Sequence, residues 1–211
     1  MLKTIIKANS VGNLTDARYF SALEVQYLGF SLTQGSEDYI TAPVVKAMKE
    51  WLEGPLFIGE FGLESIESIT ASVDNIGLDA VQIPVFYSDS LATITVPIFR
   101  EIVIDSSLQA SDLQAIIQQH KSNTACFILD FQKNNISWKS ILLSANINIE
   151  LLQRLCQQYK IFLHLDCSPK EINSILQSIQ PHGLCVRGGE EEAVGLKSFD
   201  ELQDWFDVLE A

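Results

Sequence analysis

Short apolar runs rich in β-branched and aromatic residues alternate, from one end of the chain to the other, with segments of helical period. That alternation limits the fold more than any single motif, because strand–helix repeats build parallel sheets. The runs are Leu2 to Ala8, Tyr27 to Phe30, Leu56 to Gly59, Leu78 to Ile83, Ile98 to Ile104, Ala125 to Asp130, Ile161 to Leu165 and Gly183 to Val186. Between them lie helical stripes. One begins at Leu14 and fades near Ala22, and a second is Val44, Ala47, Met48 and Trp51. The others are Ile66, Ile69, Thr70 and Val73; then Leu113, Ile116, Ile117 and His120; then Leu152, Leu155, Cys156 and Tyr159; and Ile172, Ile175, Leu176 and Ile179. The last, Phe199, Leu202, Phe206 and Leu209, closes the chain. Ser88 to Ala92 reads as one helical turn. Eight units in 211 residues, about 25 each, predict a single-domain α/β fold, a (β/α)8 TIM barrel over residues 1–211. A doubly wound open sheet usually needs fewer units.

Helix starts are marked chemically. Asn13 is placed to cap the first helix, with Asp16 three positions on. Ser168-Pro169-Lys170-Glu171 combines a capping serine, proline at the first helical position and glutamate at N3. Ser198-Phe199-Asp200-Glu201 repeats the box without the proline.

A formal net charge of −13 argues against nucleic-acid and anionic-membrane partners. The 47% hydrophobic content supports a large core. No apolar run reaches membrane-spanning length, and the N-terminus lacks a signal-peptide pattern. Cys126, Cys156, Cys167 and Cys185 form no C-x-x-C pair. They read as free buried thiols of a cytoplasmic protein. His120, His164 and His182 are scattered and make no metal motif, so no metal or cofactor is expected.

The stretch Lys7-Ala8-Asn9-Ser10-Val11-Gly12-Asn13-Leu14-Thr15-Asp16-Ala17 is a strand end, a loop and a helix start. In α/β folds chemistry is placed there. The stretch resembles the N-terminal signature of the phosphoribosylanthranilate isomerases. Leu28-Gly29-Phe30, Ile58-Gly59, Leu78 to Ile83, Val96-Pro97-Ile98-Phe99-Arg100, Leu129-Asp130 and Gly195-Leu196-Lys197 extend the resemblance. It covers most of the chain. Most of these positions serve packing and turns, so the resemblance implies the barrel more directly than the activity.

The family's reaction is an Amadori rearrangement of an aminoaldose phosphate, with a cysteine base, an aspartate acid and phosphate-binding loops after strands seven and eight. The resemblance places the acid at Asp130. It places the base at Asn9, whose neutral amide accepts no proton near neutral pH. General-base catalysis contributes roughly 10²–10⁴-fold. The family arginine after strand two falls on Asp38, and the histidine after strand four on Pro84. The first phosphate loop falls on Leu163 to Pro169, with His164 and Asp166 in it and both glycines gone. A carboxylate about 4 Å from a phosphate costs on the order of 4 kcal/mol at an effective dielectric of 20. The second falls on Cys185 to Glu191. There Gly188-Gly189 offers an anion nest and Arg187 a charge, opposed by Glu190, Glu191 and Glu192, which read as a solvated loop. Phe131-Gln132-Lys133-Asn134-Asn135 replaces a glycine-rich loop.

Three functions remain open: a non-catalytic or repurposed small-molecule-binding barrel; an isomerase keeping Asp130 with a substitute base; and a different enzyme built on His164 and Asp166, two apart on one strand and so facing one side. Asp130, Asp166 and Glu190 are also a conceivable cation site. A small-molecule ligand, a protein partner, and a monomer or homodimer are all compatible with the sequence.

Overall fold

Alternation along each strand decides which side chains fill the barrel and which meet the helices. The computed structural model describes residues 1–87, 91–188, 191–193, 196–197 and 200–210, and only the backbone of 191–193, 196–197 and 200–201. Eight parallel strands close on themselves: β1 (Ile5–Asn9), β2 (Tyr27–Ser31), β3 (Leu56–Glu60), β4 (Ala80–Pro84), β5 (Ile98–Val103), β6 (Cys126–Asp130), β7 (Ile161–His164) and β8 (Gly183–Arg187). Closure is made by β1 and β8, in a register that pairs Ile5 with Gly183 and Asn9 with Arg187. The expected (β/α)8 TIM barrel is the fold.

Among the described residues the helices are α1 (Leu14–Ala22), α2 (Ala42–Trp51), α3 (Ile66–Ile76), α4 (Ala110–His120), α5 (Trp138–Leu143), α6 (Ile149–Gln158), α7 (Pro169–Ile179) and α8 (Asp200–Leu209). Two of them, α5 and α6, follow β6. The turn expected over Ser88 to Ala92 lies partly outside the described residues. Asn13 Oδ1 accepts from Asp16 N at 2.9 Å and so caps α1. The Glu171 side chain accepts from Ser168 N at 2.8 Å at the start of α7. The box at Ser198-Phe199 falls outside the described residues.

One expectation about packing is corrected. In α2 the buried residues are Val45 and Met48, while Val44, Ala47 and Trp51 are exposed. Two apolar stripes run along this helix about 100° apart, one residue's rotation. The sheet takes the one that carries Val45. A second correction concerns Glu191, expected in a solvated loop. Glu191–Ala193 forms a strand, β9, antiparallel to β10 (Leu196–Lys197).

The lumen is packed. Ile58, Ala80, Phe99, Cys126, Ile128, Phe162 and Cys185 form its core, with Ile5 and Tyr27 against them. Tyr27 stands edge-on to Phe99 and Phe162, with ring centroids 5.3 and 5.9 Å away. Phe162 fits because Gly183 faces it; a Cβ there would lie 2.3 Å from the Phe162 ring and 2.5 Å from Ile5 O. Truncating a buried phenylalanine of this kind costs about 3–5 kcal/mol. The apolar floor leaves the C-terminal ends of the strands as the open, polar end of the barrel.

All four cysteines are free; Cys126 and Cys185 are buried, whereas Cys156 and Cys167 are half-buried. No described helix is long and apolar enough to cross a membrane.

Candidate functional site

All eight strands carry a polar side chain just above the apolar core; in β2 it is Ser31, paired in register with Glu60. In β3, β4 and β5, Glu60, Gln82 and Glu101 stand two residues beyond Ile58, Ala80 and Phe99. In β6, β7 and β8, Asp130, His164 and Arg187 stand two beyond Ile128, Phe162 and Cys185. In β1 the polarity starts one step earlier, with Lys7 and then Asn9. Two residues is the period that returns a strand to the same face.

Lys7 is wholly buried. Its Nζ donates to Asn9 Oδ1 at 2.5 Å and lies 2.5 Å from Glu60 Oε1. The other Glu60 oxygen accepts from Ser10 N and Ser10 Oγ, both at 3.1 Å. Ser10 adopts φ 50° to bring both donors to that carboxylate, a left-handed conformation that costs about 1 kcal/mol. A lysine ammonium without a partner would be expensive to bury; here it has two. The network has a steric condition, because a Cβ on Gly29 would lie 2.0 Å from Glu60 Oε1 and 2.7 Å from Lys7 Nζ. The position expected to carry a base thus carries an amide whose oxygen holds a lysine.

Asp130 is almost fully buried at the end of β6. Its Oδ1 accepts from Lys133 N at 3.0 Å. Its Oδ2 lies 3.1 Å from His164 Nδ1 and 3.8 Å from Lys133 Nζ. The imidazole contact is within bonding distance but off the line of a straight hydrogen bond. Burial pushes the Asp130 carboxyl up, yet the close His164 ring, the Lys133 backbone N–H and the Lys133 charge outweigh it and hold the group below its ordinary value. Neighbouring Glu101 behaves oppositely. Burial raises it, with Asp130 and Glu60 adding repulsion, and Lys133 only partly offsets the rise. Lys133 Nζ lies 2.7 Å from Glu101 Oε2, and Gln82 Nε2 donates to Glu101 Oε1 at 3.3 Å. Beneath this cluster, burial pushes the Cys185 thiol up to about 12. It stays a neutral thiol at ordinary pH.

The structure separates several residues that the sequence grouped together. The carboxylate facing His164 is Asp130; Asp166 lies past the end of β7 with its side chain exposed and its backbone bridged to Ser137. Strand β7 ends at His164, so the same-side rule stops applying there. Arg187, expected as an anion contact, is ion-paired with Asp38. Its Nη2 donates to both oxygens of Asp38, at 2.5 and 2.7 Å. Gly188 follows β8 in irregular backbone, and Gly189 and Glu190 lie outside the described residues. Among the described residues no three His, Cys, Asp or Glu side chains are placed to hold a metal. Lys7, Glu60, Gln82, Glu101 and Lys133 were missed as site residues. The period-two step from each inward apolar residue would have found all of these but Lys133, which sits in a loop.

At the opposite end of the barrel a depression of about 560 Å3 is lined by residues that include Lys3, Cys156, Lys160, Gln180 and His182. It has no facing acid and base. His182 instead presses edge-on against Phe162, centroids 5.5 Å apart.

These features define a closed eight-stranded α/β barrel with a polar, ion-paired mouth at its C-terminal end. Solved structures of phosphoribosylanthranilate isomerases share the fold. The enzyme from Thermus thermophilus superposes with a TM-score of 0.73 at 19% identity, covering 98% of both chains. The enzyme from Thermotoga maritima gives 0.76 at 17% identity, again over 98% of both. The enzyme from Thermococcus kodakaraensis gives 0.76 at 13%, over 97% of this chain and 98% of its own. Neither a protein-family model nor a curated protein matches the chain. The barrel is therefore phosphoribosylanthranilate isomerase-like in fold.

Proposed function

We propose that this chain is a diverged phosphoribosylanthranilate isomerase-like barrel that binds a small molecule at its C-terminal mouth and does not carry out that isomerase's reaction. One observation carries the proposal: the described cations of the mouth already have carboxylate partners. Lys7 is held by Glu60, Lys133 by Glu101 and Arg187 by Asp38. A phosphorylated substrate would have to share each of them with a protein carboxylate that already offsets its charge. Asn9 adds a second obstacle, since its oxygen is engaged by Lys7 and an amide takes no proton from a sugar carbon. The test is growth without tryptophan of a cell lacking the isomerase and expressing this chain in soluble form. No growth is expected; growth would overturn the proposal.

The alternative, an isomerase with a substitute base, draws on the facing pair Asp130 and His164, which puts a titratable nitrogen beside the carboxylate at the family's acid position. It requires turnover of phosphoribosylanthranilate by the purified chain and loss of that turnover in Asp130→Ala.

A further inference from the structure

At the end of the barrel opposite the mouth, cations gather without carboxylates. The depression of about 560 Å3 there is lined by eleven described residues, which include Lys3, Lys160 and His182 and neither Asp nor Glu. Gln158 and Tyr159 also line a second depression, of about 460 Å3, which carries Arg154 and again no Asp or Glu. The two therefore adjoin, and each has the volume of a small-molecule pocket. The chain holds 27 acidic residues against 14 lysines and arginines, so two joined depressions that carry only the minority charge run against its composition. Lys3, Lys160 and Arg154 make no ion pair among the described residues. Lys3 Nζ donates to Val208 O at 2.7 Å, a contact that fixes the ammonium and leaves its charge unpaired. Burial, and then the Lys160 charge, hold His182 below its ordinary value, so that charge is felt inside the first depression.

Helix ends do not use up these cations. The C-termini of α6, α7 and α8 lie here, each equivalent to roughly half a negative charge, against three full positive charges. The cations also fall in two places. Arg154 precedes Gln158 by one turn of α6, about 6 Å along the axis, and Lys160 follows two residues later. Between them the surface is amide-rich, with Gln157, Gln158 and Gln180 in the first depression and Gln114 and Gln118 in the second. Amides give and accept hydrogen bonds and so suit an uncharged polar body. We propose that this face is a second ligand site, for an elongated polar small molecule with an anionic group, phosphate or carboxylate, at each end. Lys3 and Lys160 take one end and Arg154 the other. The site is independent of the mouth.

The experiment uses the full chain labelled with ¹⁵N-histidine. His182 reports this face, while His164 reports the mouth and His120 the end of α4. D-fructose 1,6-bisphosphate and D-glucarate are the two-ended probes. D-fructose 6-phosphate and D-gluconate are their one-ended counterparts. At least one two-ended probe is expected to shift the His182 resonances saturably, about tenfold more tightly than its counterpart, the scale of one charge-assisted hydrogen bond. It should leave His164 unmoved. The arm that responds separates phosphate from carboxylate. Arg154→Gln should bring the two affinities together. Lys160→Gln should weaken both about tenfold and raise the ligand-free His182 midpoint, because one cause of its depression is gone. Both side chains are exposed, so both variants should keep the parent's urea midpoint. No saturable shift at His182 with any probe overturns the site. Equal affinity for one-ended and two-ended probes, or an undiminished advantage in Arg154→Gln, overturns the two-ended ligand. A shift at His164 without one at His182 overturns the placement.

Discussion

Arg187 and Asp38 bind each other across 149 residues of chain, one guanidinium nitrogen donating to both carboxylate oxygens. Each occupies a position where the resemblance placed a ligand contact, and each satisfies the other instead. Releasing the arginine should strengthen anion binding at this position. Asp38→Ala is expected to bind inorganic phosphate roughly tenfold more tightly than the parent, the scale of one charge-assisted hydrogen bond. Stability should fall by less than about 1 kcal/mol, because the pair is half exposed, with side chains 50% and 31% accessible. Calorimetric titration with phosphate checks the first figure and urea unfolding the second. Unchanged phosphate affinity would mean that Arg187 is not what the ion pair withholds.

Gly29 is the steric condition for the Lys7–Glu60 pair. The carboxylate could swing away from an added methyl only by giving up Lys7 on one oxygen or Ser10 on the other. Gly29→Ala is therefore expected to destabilise the barrel by on the order of 3 kcal/mol, combining overpacking with a disturbed buried ion pair. Urea unfolding reads it. A loss below about 0.5 kcal/mol would show that the network relaxes around the methyl.

The architecture was legible because strand and helix write different periods into the sequence, and eight repetitions leave few topologies. Two things were not legible. The α2 stripe was misplaced because Val44, Ala47 and Trp51 keep helical spacing as well as Val45 and Met48 do; only the approach of the sheet selects between them. The mouth was partly hidden because strand three was read as an apolar run ending at Gly59, which leaves Glu60 outside it. Alternation could have extended that strand by one residue. It could not have paired Lys7 with Glu60 or Asp38 with Arg187, since such contacts are set by barrel closure and loop position. The closeness of Asp130 and His164 follows from register: they are directly paired in β6 and β7.

Acid should separate the two carboxyls that flank Lys133. Asp130 has a folded value below its unfolded one, about 3.9. Its ionised form therefore stabilises the fold above that pH, and the contribution is lost as pH falls through the lower, folded value. Glu101 has a folded value above its unfolded one, about 4.3. Its ionisation opposes folding at neutral pH, and the penalty is relieved as pH falls through the raised value to the unfolded one. Asp130→Asn should lower the urea midpoint at neutral pH, and Glu101→Gln should raise it. Lys133 loses little in the second variant, being 54% accessible. Both differences should shrink on acidification, the Glu101 difference first. Two variants that destabilise alike at neutral pH would contradict the opposite shifts.

On the proposed function position 9 lacks a base, and a cysteine there tests whether that alone separates this barrel from the isomerases that share its fold. A thiol at position 9 would regain a group worth roughly 10²–10⁴-fold in rate. It would not loosen Arg187 from Asp38, nor replace the exposed Asp166 with a glycine whose backbone N–H approaches a phosphate. Asn9→Cys by itself is therefore expected to leave the isomerase-deficient cell unable to grow without tryptophan. Growth is expected only when Asn9→Cys is combined with Asp38→Arg and Asp166→Gly, which together return the base, the strand-two cation and an open phosphate loop. The single variant also removes Asn9 Oδ1 from Lys7, so soluble expression and the urea midpoint must be measured beside growth. Growth of the single variant would show that the paired cations are no barrier to a phosphorylated substrate, and the base would then be the only part this barrel had lost.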